Sequence, residues 1–253
     1  MTTQDRYNDQ VLVSIPTYKT PAGMLERAVK SVLAQTHRNL QVVVIADGPQ
    51  DLDPLPKDDR LVVFQLRENH GTYFAQQVSL MASPYGWYAP HGSDDWCDPE
   101  HIEKLLAMES SAVASGAVWW HQEGHPVKIH RANYEVGLFA TERLRDFGGY
   151  NPSERMGQDS LTLKLLGITG GFVSTTEPTY HRVRRPGSLT THPDTKIGSV
   201  GRNEMRRRNR AIWATVMNKK DPLEIALIRH MTVPLSVWDQ VHEYAAELRR
   251  EIW

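Results

Sequence analysis

Three short runs rich in β-branched residues, VLVSIP (11–16), QVVVIADG (41–48) and LVVFQL (61–66), constrain the fold more than any other feature of the chain. Each is apolar at nearly every position, the pattern of a strand covered on both faces. Pro16 ends the first run, and the Asp47-Gly48 turn ends the second. Between these two, residues 21–35 place Leu25, Ala28, Val29, Val32 and Leu33 at helical spacing. Pro21 stands near the start, where its missing N–H costs nothing. Residues 72–82 predict another helix, and GWYAPH (86–91) a fourth strand. Strands alternating with helices imply an α/β fold with a mostly parallel central sheet flanked by helices. Ligands of such sheets bind outside the carboxyl ends of the strands. Tyr18, Asp47 and the pair Asp94-Asp95 all fall at predicted strand ends, so they are expected along one edge.

The stretch HGSDDWCDPEHIEKLL (91–106) sets two like charges side by side where a strand ends. A solvated turn and a cation site both fit this pattern. Asp98-Pro99-Glu100 then reads as an N-cap with proline at the first helical position, opening a helix to about Ser115. Further on, AVWWHQ (117–122), GLFATE (137–142) and GGFVST (170–175) read as strands and residues 158–167 as a helix. After Gly198 the pattern is helical and amphipathic, ending in a helix over 235–252. The simplest organisation is one domain over 1–197, divided into halves at 10–115 and 116–197, with a helical C-terminal extension over 198–253.

Composition narrows the function. With 40% apolar and 23% charged residues in 253, the chain suits a globular protein with a sizeable core. Its formal net charge of -1 gives no overall field toward nucleic acid or membrane. Residues 177–210 nevertheless hold nine Lys and Arg against three acidic residues, leaving the remainder acidic. Cys97 is the single cysteine, which excludes an intrachain disulfide and a Cys-rich metal site. The polar start MTTQDRYNDQ lacks a signal-peptide core, and no run approaches the length of a membrane span. A cytoplasmic location, with the C-terminal helices touching a membrane surface or a second copy, is the expectation. No GxGxxG follows a strand, which argues against a dinucleotide-binding dehydrogenase. The loop PTYKTPAG after the first strand lacks the glycine- and arginine-rich character of a nucleotidyltransferase phosphate loop.

VSIPTYK, RAVKSVLAQTHRNLQVVVIADG, ENHGTYFAQQVSL and GSDDWCDPEHIEKL, in this order, resemble the nucleotide-binding half of the family 2 glycosyltransferases of the GT-A fold. LFATERLRDFGGYNP and GQDSLTLKLL continue the resemblance into the acceptor-side segment, to about residue 192. It implies a GT-A sheet and transfer of a sugar from a nucleotide-sugar, a UDP-sugar above all. The acceptor would be a hydroxyl of a glycan, lipid-linked glycan or protein. Pro16 and Tyr18 would flank the base, and Asp47 would accept a hydrogen bond from a uracil-type ring. Asn69 and Gly71 would lie in the loop closing over base and ribose. Asp94 would face the ribose, Asp95 would ligate a divalent cation, and Asp159 would be the general base.

The chain departs from the family pattern at Ala46, at Gln76-Gln77 and at Arg185. Arg185 stands where several members carry a histidine, so the resemblance leaves His181, or else His192, as the further metal ligand. The alternative reading is a GT-A-like sugar- or nucleic-acid-binding protein without turnover.

The chemistry that the resemblance implies suits these residue types. A departing nucleoside diphosphate concentrates negative charge, which a hard cation such as Mn²⁺ or Mg²⁺ on oxygen ligands neutralises. Arg182 and Arg185 would add guanidinium donors that match phosphate geometry. A carboxylate such as Asp159 takes the acceptor's proton as attack proceeds. Direct attack from the opposite face inverts the anomeric carbon.

Overall fold

Val11–Thr17 forms the first strand, β1, and every residue in it is buried. The alternation of side chains in a strand sorts its residues to two cores. Leu12 joins one apolar cluster, while Val11, Val13 and Ile15 join the other. The computed structural model describes residues 9–122, 125–131, 136–168, 170–196, 198–219 and 221–252. The N-terminal residues 1–8 and the expected boundary at residue 197 lie outside them.

The elements follow in chain order. Helix α1 (Met24–Leu33) leads to β2 (Leu40–Ala46) and β3 (Leu61–Gln65), then α2 (Thr72–Ala82), β4 (Trp87–Pro90), β5 (Trp96–Cys97) and α3 (His101–Leu106). The second half comprises β6 (Ala112–Ser115), β7 (Ala117–Gln122), β8 (His125–Arg131), β9 (Gly137–Ala140), α4 (Thr141–Asp146), α5 (Gln158–Ile168), β10 (Phe172–Thr175) and β11 (Tyr180–Arg184). Helices α6 (Val200–Val216), α7 (Pro222–His230) and α8 (Leu235–Ile252) close the chain.

A seven-stranded sheet runs in the order β10-β6-β9-β4-β1-β2-β3. Its described pairings are parallel except where β9 joins β4 and β6. Thr17 pairs with Ala46 and Ser14 with Pro90, so β1, β2 and β4 finish at one edge. Asp47 N donates to Thr17 O and His91 N to Ser14 O, extending that edge by a residue on each side. A second sheet, β5-β11-β7-β8, stands beside it.

Two local expectations are corrected. The helix after Pro99 ends at Leu106 instead of near Ser115, because Glu109 takes a left-handed backbone (φ 49°) and the chain turns into β6. Asp98 does not cap that helix with its side chain; its carboxylate meets His181 instead.

Helices α6, α7 and α8 pack into the same core as the sheet. Val216, Ile225, Val233, Trp238, Val241, Tyr244 and Leu248 belong to the same cluster as Leu12 and Phe74. Arg67 N, just past β3, donates to the Tyr244 hydroxyl at 3.0 Å, and its guanidinium pairs with Glu243 and Glu247. No described helix is long and apolar enough to cross a membrane.

Candidate active site

Asp47 leaves the end of β2 and is 3% exposed. Its carboxylate ties down the following glycine loop. Oδ1 accepts from His70 N at 2.8 Å, while Oδ2 accepts from Gly71 N at 2.8 Å and Asn69 Nδ2 at 3.0 Å. Burial raises its pKa, and the two backbone N–H groups pull it back. Gly48 and Gly71 hold left-handed φ values of 96° and 105° on either side of this clip. A Cβ on Gly48 would stand 2.8 Å from Asn69 N, a contact that only backbone movement relieves. Gly48→Ala is therefore expected to destabilise the protein by about 1–3 kcal/mol and to loosen the Asn69 loop. Chemical denaturation would measure the first effect and nucleotide titration the second.

The Asp pair sits where β4 has ended and the second sheet begins. Pairing of β5 with β11 sets Tyr180 opposite Cys97, and this carries β11 past Asp95. Tyr180 donates its hydroxyl to Asp95 Oδ2 at 3.0 Å and accepts from Gly92 N at 2.9 Å. Val183 N donates to Asp95 Oδ1 at 2.9 Å. A Cβ at Gly92 would meet the Asp95 carboxylate, so a larger residue there would have to displace it. Asp94 points its Oδ2 at Arg185 Nε, 2.7 Å away, and its carbonyl accepts from Arg27 at 2.8 Å. Burial, then the charge of Asp94, raises the Asp95 pKa, and Arg182 opposes the shift.

Asp159 lies in the first turn of α5. Oδ1 accepts from Ser160 N at 2.8 Å. Burial raises its pKa against the lowering effect of Ser160 N and the Tyr73 hydroxyl. Gly157 (φ 74°) passes so close to α6 that an added Cβ would lie 2.5 Å from Met205. Asn209 of α6 donates to Gly157 O at 3.0 Å, fixing the approach of Asp159.

A cavity of about 560 Å³ collects these parts. Pro16, Tyr18, Asp47, Asn69 and Gly71 line it together with Asp94, Asp95, Arg182, Arg185, Asp159 and His192. Tyr18 is 45% exposed, with Lys19 Nζ 5.1 Å from its ring centre. His181 is not brought to the cavity. Its Nδ1 meets His121 Nε2 at 2.9 Å, its Nε2 meets Asp98 Oδ1 at 2.8 Å, and its ring stacks on Trp96. Both ring nitrogens are thus engaged inside the second sheet.

Sequence reasoning missed Tyr180, Arg27 and Arg155. Arg155 lines the cavity and donates to Asn69 Oδ1 at 2.8 Å, joining the loop before α5 to the glycine loop. Nothing in the local pattern marks it. Tyr180 lies on a strand only five residues long, YHRVR, too short and too polar for periodicity to reveal.

Comparison with known proteins agrees with this architecture. Over 103 residues the chain is 25% identical to the glycosyltransferase GlyA of Streptococcus pneumoniae serotype 4, covering 39% of this chain and 15% of that protein. It is 30% identical over 136 residues to an uncharacterized glycosyltransferase of Rickettsia conorii, covering 52% of this chain and 22% of that one. The chain thus spans less than a quarter of the length of either relative. The fold matches S. aureus TarS 1-349 in complex with UDP-GlcNAc with a TM-score of 0.62 at 18% identity, over 93% of this chain and 79% of that one. The complex of TarS 1-349 with UDP gives 0.61 at 17% identity, over 90% and 73%. That likeness is one of fold, and it bears out the GT-A expectation for the sheet and its flanking helices. Residues 12–174, well over half of the chain, match the glycosyl transferase family 2, and with the strand-end site in place the chain belongs to that family.

Proposed function

We propose that this protein transfers a sugar from a nucleotide-sugar, with UDP as the nucleotide, to an acceptor hydroxyl with inversion. One observation carries the reading. A single cavity gathers the base-side residues Tyr18 and Asp47, the Asp94-Asp95 pair and the carboxylate of Asp159 from distant stretches of chain. UDP is favoured because the TarS structures of like fold hold UDP and UDP-GlcNAc.

The donor's base would stack against Tyr18 beside Pro16, and Asp47 would accept from the ring while holding the Asn69–Gly71 loop over the ribose. Asp94 would face the ribose, with Arg182 and Arg185 aimed at the diphosphate. The Asp pair fits a hard cation. It offers carboxylate oxygens, each Asp95 oxygen has taken one protein donor and keeps a lone pair, and burial beside Asp94 leaves charge for a cation to offset. Asp95 would hold Mn²⁺ or Mg²⁺, which supplies Lewis-acid neutralisation of the departing diphosphate. Asp159 would take the acceptor's proton as its oxygen attacks from the opposite face. The apolar edge formed by Leu223, Leu227, Met231 and Leu235, all exposed, suits a homodimer or membrane-surface contact of the C-terminal helices.

The test is calorimetric titration of UDP, GDP and dTDP, each with Mn²⁺ and with EDTA. UDP is expected to bind with Mn²⁺ and to lose most of its affinity in EDTA, with the other two weaker. Failure of all three to bind the folded protein would overturn the donor reading in favour of a scaffold without turnover.

A further inference from the structure

A second cavity of about 490 Å³ adjoins the first and shares Asp159 and Arg182 with it. Its lining is strongly basic: Lys164 of α5, Arg182 of β11, and Arg202, Arg206 and Arg210 of α6, with Asp159 as the one carboxylate. The three α6 arginines follow at i, i+4 and i+8, so they lie along one helix face. Like charges at that spacing oppose helix formation. Elsewhere on the same helix the charge is compensated, since Arg208 makes a two-pronged pair with Glu154 at 2.7 and 2.8 Å. Among the described residues, Lys164, Arg206 and Arg210 have no such carboxylate partner, while the charge of Arg202 acts on Asp159.

Arg202 also holds the loop that separates the cavities, donating to Thr195 O at 2.6 Å and Leu189 O at 3.3 Å. Arg206 and Arg210 are exposed and aimed at solvent in the groove. Trp213 stands one turn further along the helix, half-buried, with Lys164 Nζ 5.8 Å from its ring centre. A row of guanidinium groups beside an aromatic face, leading to the carboxylate expected to activate the acceptor, is chemistry for a charged saccharide.

We infer that this groove is the acceptor site and that the acceptor is an anionic saccharide chain, bearing carboxylate or phosphate groups that the α6 arginines receive. The inference rests on the transferase reading and supplies its missing substrate class. Guanidinium forks match both anions, and Trp213 offers a ring face to a sugar between them. The like charges of Arg206 and Arg210, which cost the free helix stability, are then neutralised by the acceptor.

The experiment compares four probes on the full chain: a hexameric oligogalacturonate, a phosphorylated mannose oligosaccharide of similar length, neutral maltohexaose and the oligonucleotide dT6. Binding is measured for wild type and for Arg206→Gln/Arg210→Gln, at low and high salt, with UDP titrated in parallel. One or both charged saccharides are expected to bind, more weakly in salt, and which of them binds tighter tells carboxylate from phosphate. The double variant is expected to lose affinity for them by about tenfold or more, as expected for lost charge-assisted hydrogen bonds, while keeping its affinity for UDP. Lys164→Gln, on a different helix, is expected to weaken the same probes. The proposal falls if maltohexaose binds as tightly as the charged saccharides, if dT6 outcompetes them, or if neither variant weakens them. Loss of UDP binding by wild type with saccharide binding intact would instead overturn the transferase reading alone.

Discussion

Asp95→Asn is expected to lower the rate of sugar transfer by about 10²–10³-fold, the usual cost of removing one group that stabilises charge in the transition state. The substitution separates function from folding. An asparagine at this position can still accept from Val183 N and donate to the Tyr180 hydroxyl, the two partners that Asp95 has now. It also removes a buried charge that sits beside Asp94. Thermal stability is therefore expected to hold or rise while transfer falls. UDP release from the donor, followed with Mn²⁺ present, gives the rate, and a melting curve gives the control. Turnover at the wild-type rate would remove the cation role from Asp95.

Asp159→Asn is expected to reduce kcat by about 10²–10⁴-fold, the contribution of a positioned general base. UDP affinity should be unchanged if Asp159 serves the acceptor, since it also lines the second cavity, away from Tyr18 and Asp47. The pH profile adds a second signature. A base works as its carboxylate, so the rate should fall as pH drops through the Asp159 pKa. Burial holds that pKa above the ordinary carboxylate value, which moves the acidic limb toward neutrality. The limb should vanish in the variant. A variant that loses UDP affinity while keeping kcat would show Asp159 to be a binding group instead.

The surroundings of Asp159 and Asp95 work against their ionisation, and donors to each oppose that shift. Ser160 N and Tyr73 serve Asp159; Val183 N, Tyr180 and the Arg182 charge serve Asp95. Asp47 has the same character, and its donors belong to the loop it restrains. In all three cases the partners come from other parts of the chain than the carboxylate's own strand or turn, apart from Ser160 beside Asp159.

Much of this architecture is legible in short stretches of sequence. The β-branched runs form β1, β2 and β3, residues 72–82 form α2, and the Asp pair falls at the edge where Tyr18 and Asp47 also lie. These are local signals, since a buried strand needs apolar side chains on both faces whatever it pairs with. The helix expected to reach Ser115 fails at Glu109, whose left-handed turn no composition signal announces. Residues 112–115 instead form a strand through pairing with β9 and β10, a choice made by partners more than 20 residues away in the chain. His181 has the residue type of a ligand, but its ring nitrogens go to Asp98 and His121.

The sequence by itself determined the sheet, its functional edge and the carboxylates expected to serve there, because strand patterning and residue chemistry are properties of short stretches. Only the tertiary structure decided which donors hold those carboxylates, that α8 closes the core, and that three arginines of α6 face one groove beside Asp159. Those outcomes depend on contacts between residues far apart in the chain, and such contacts are fixed by packing the whole domain at once.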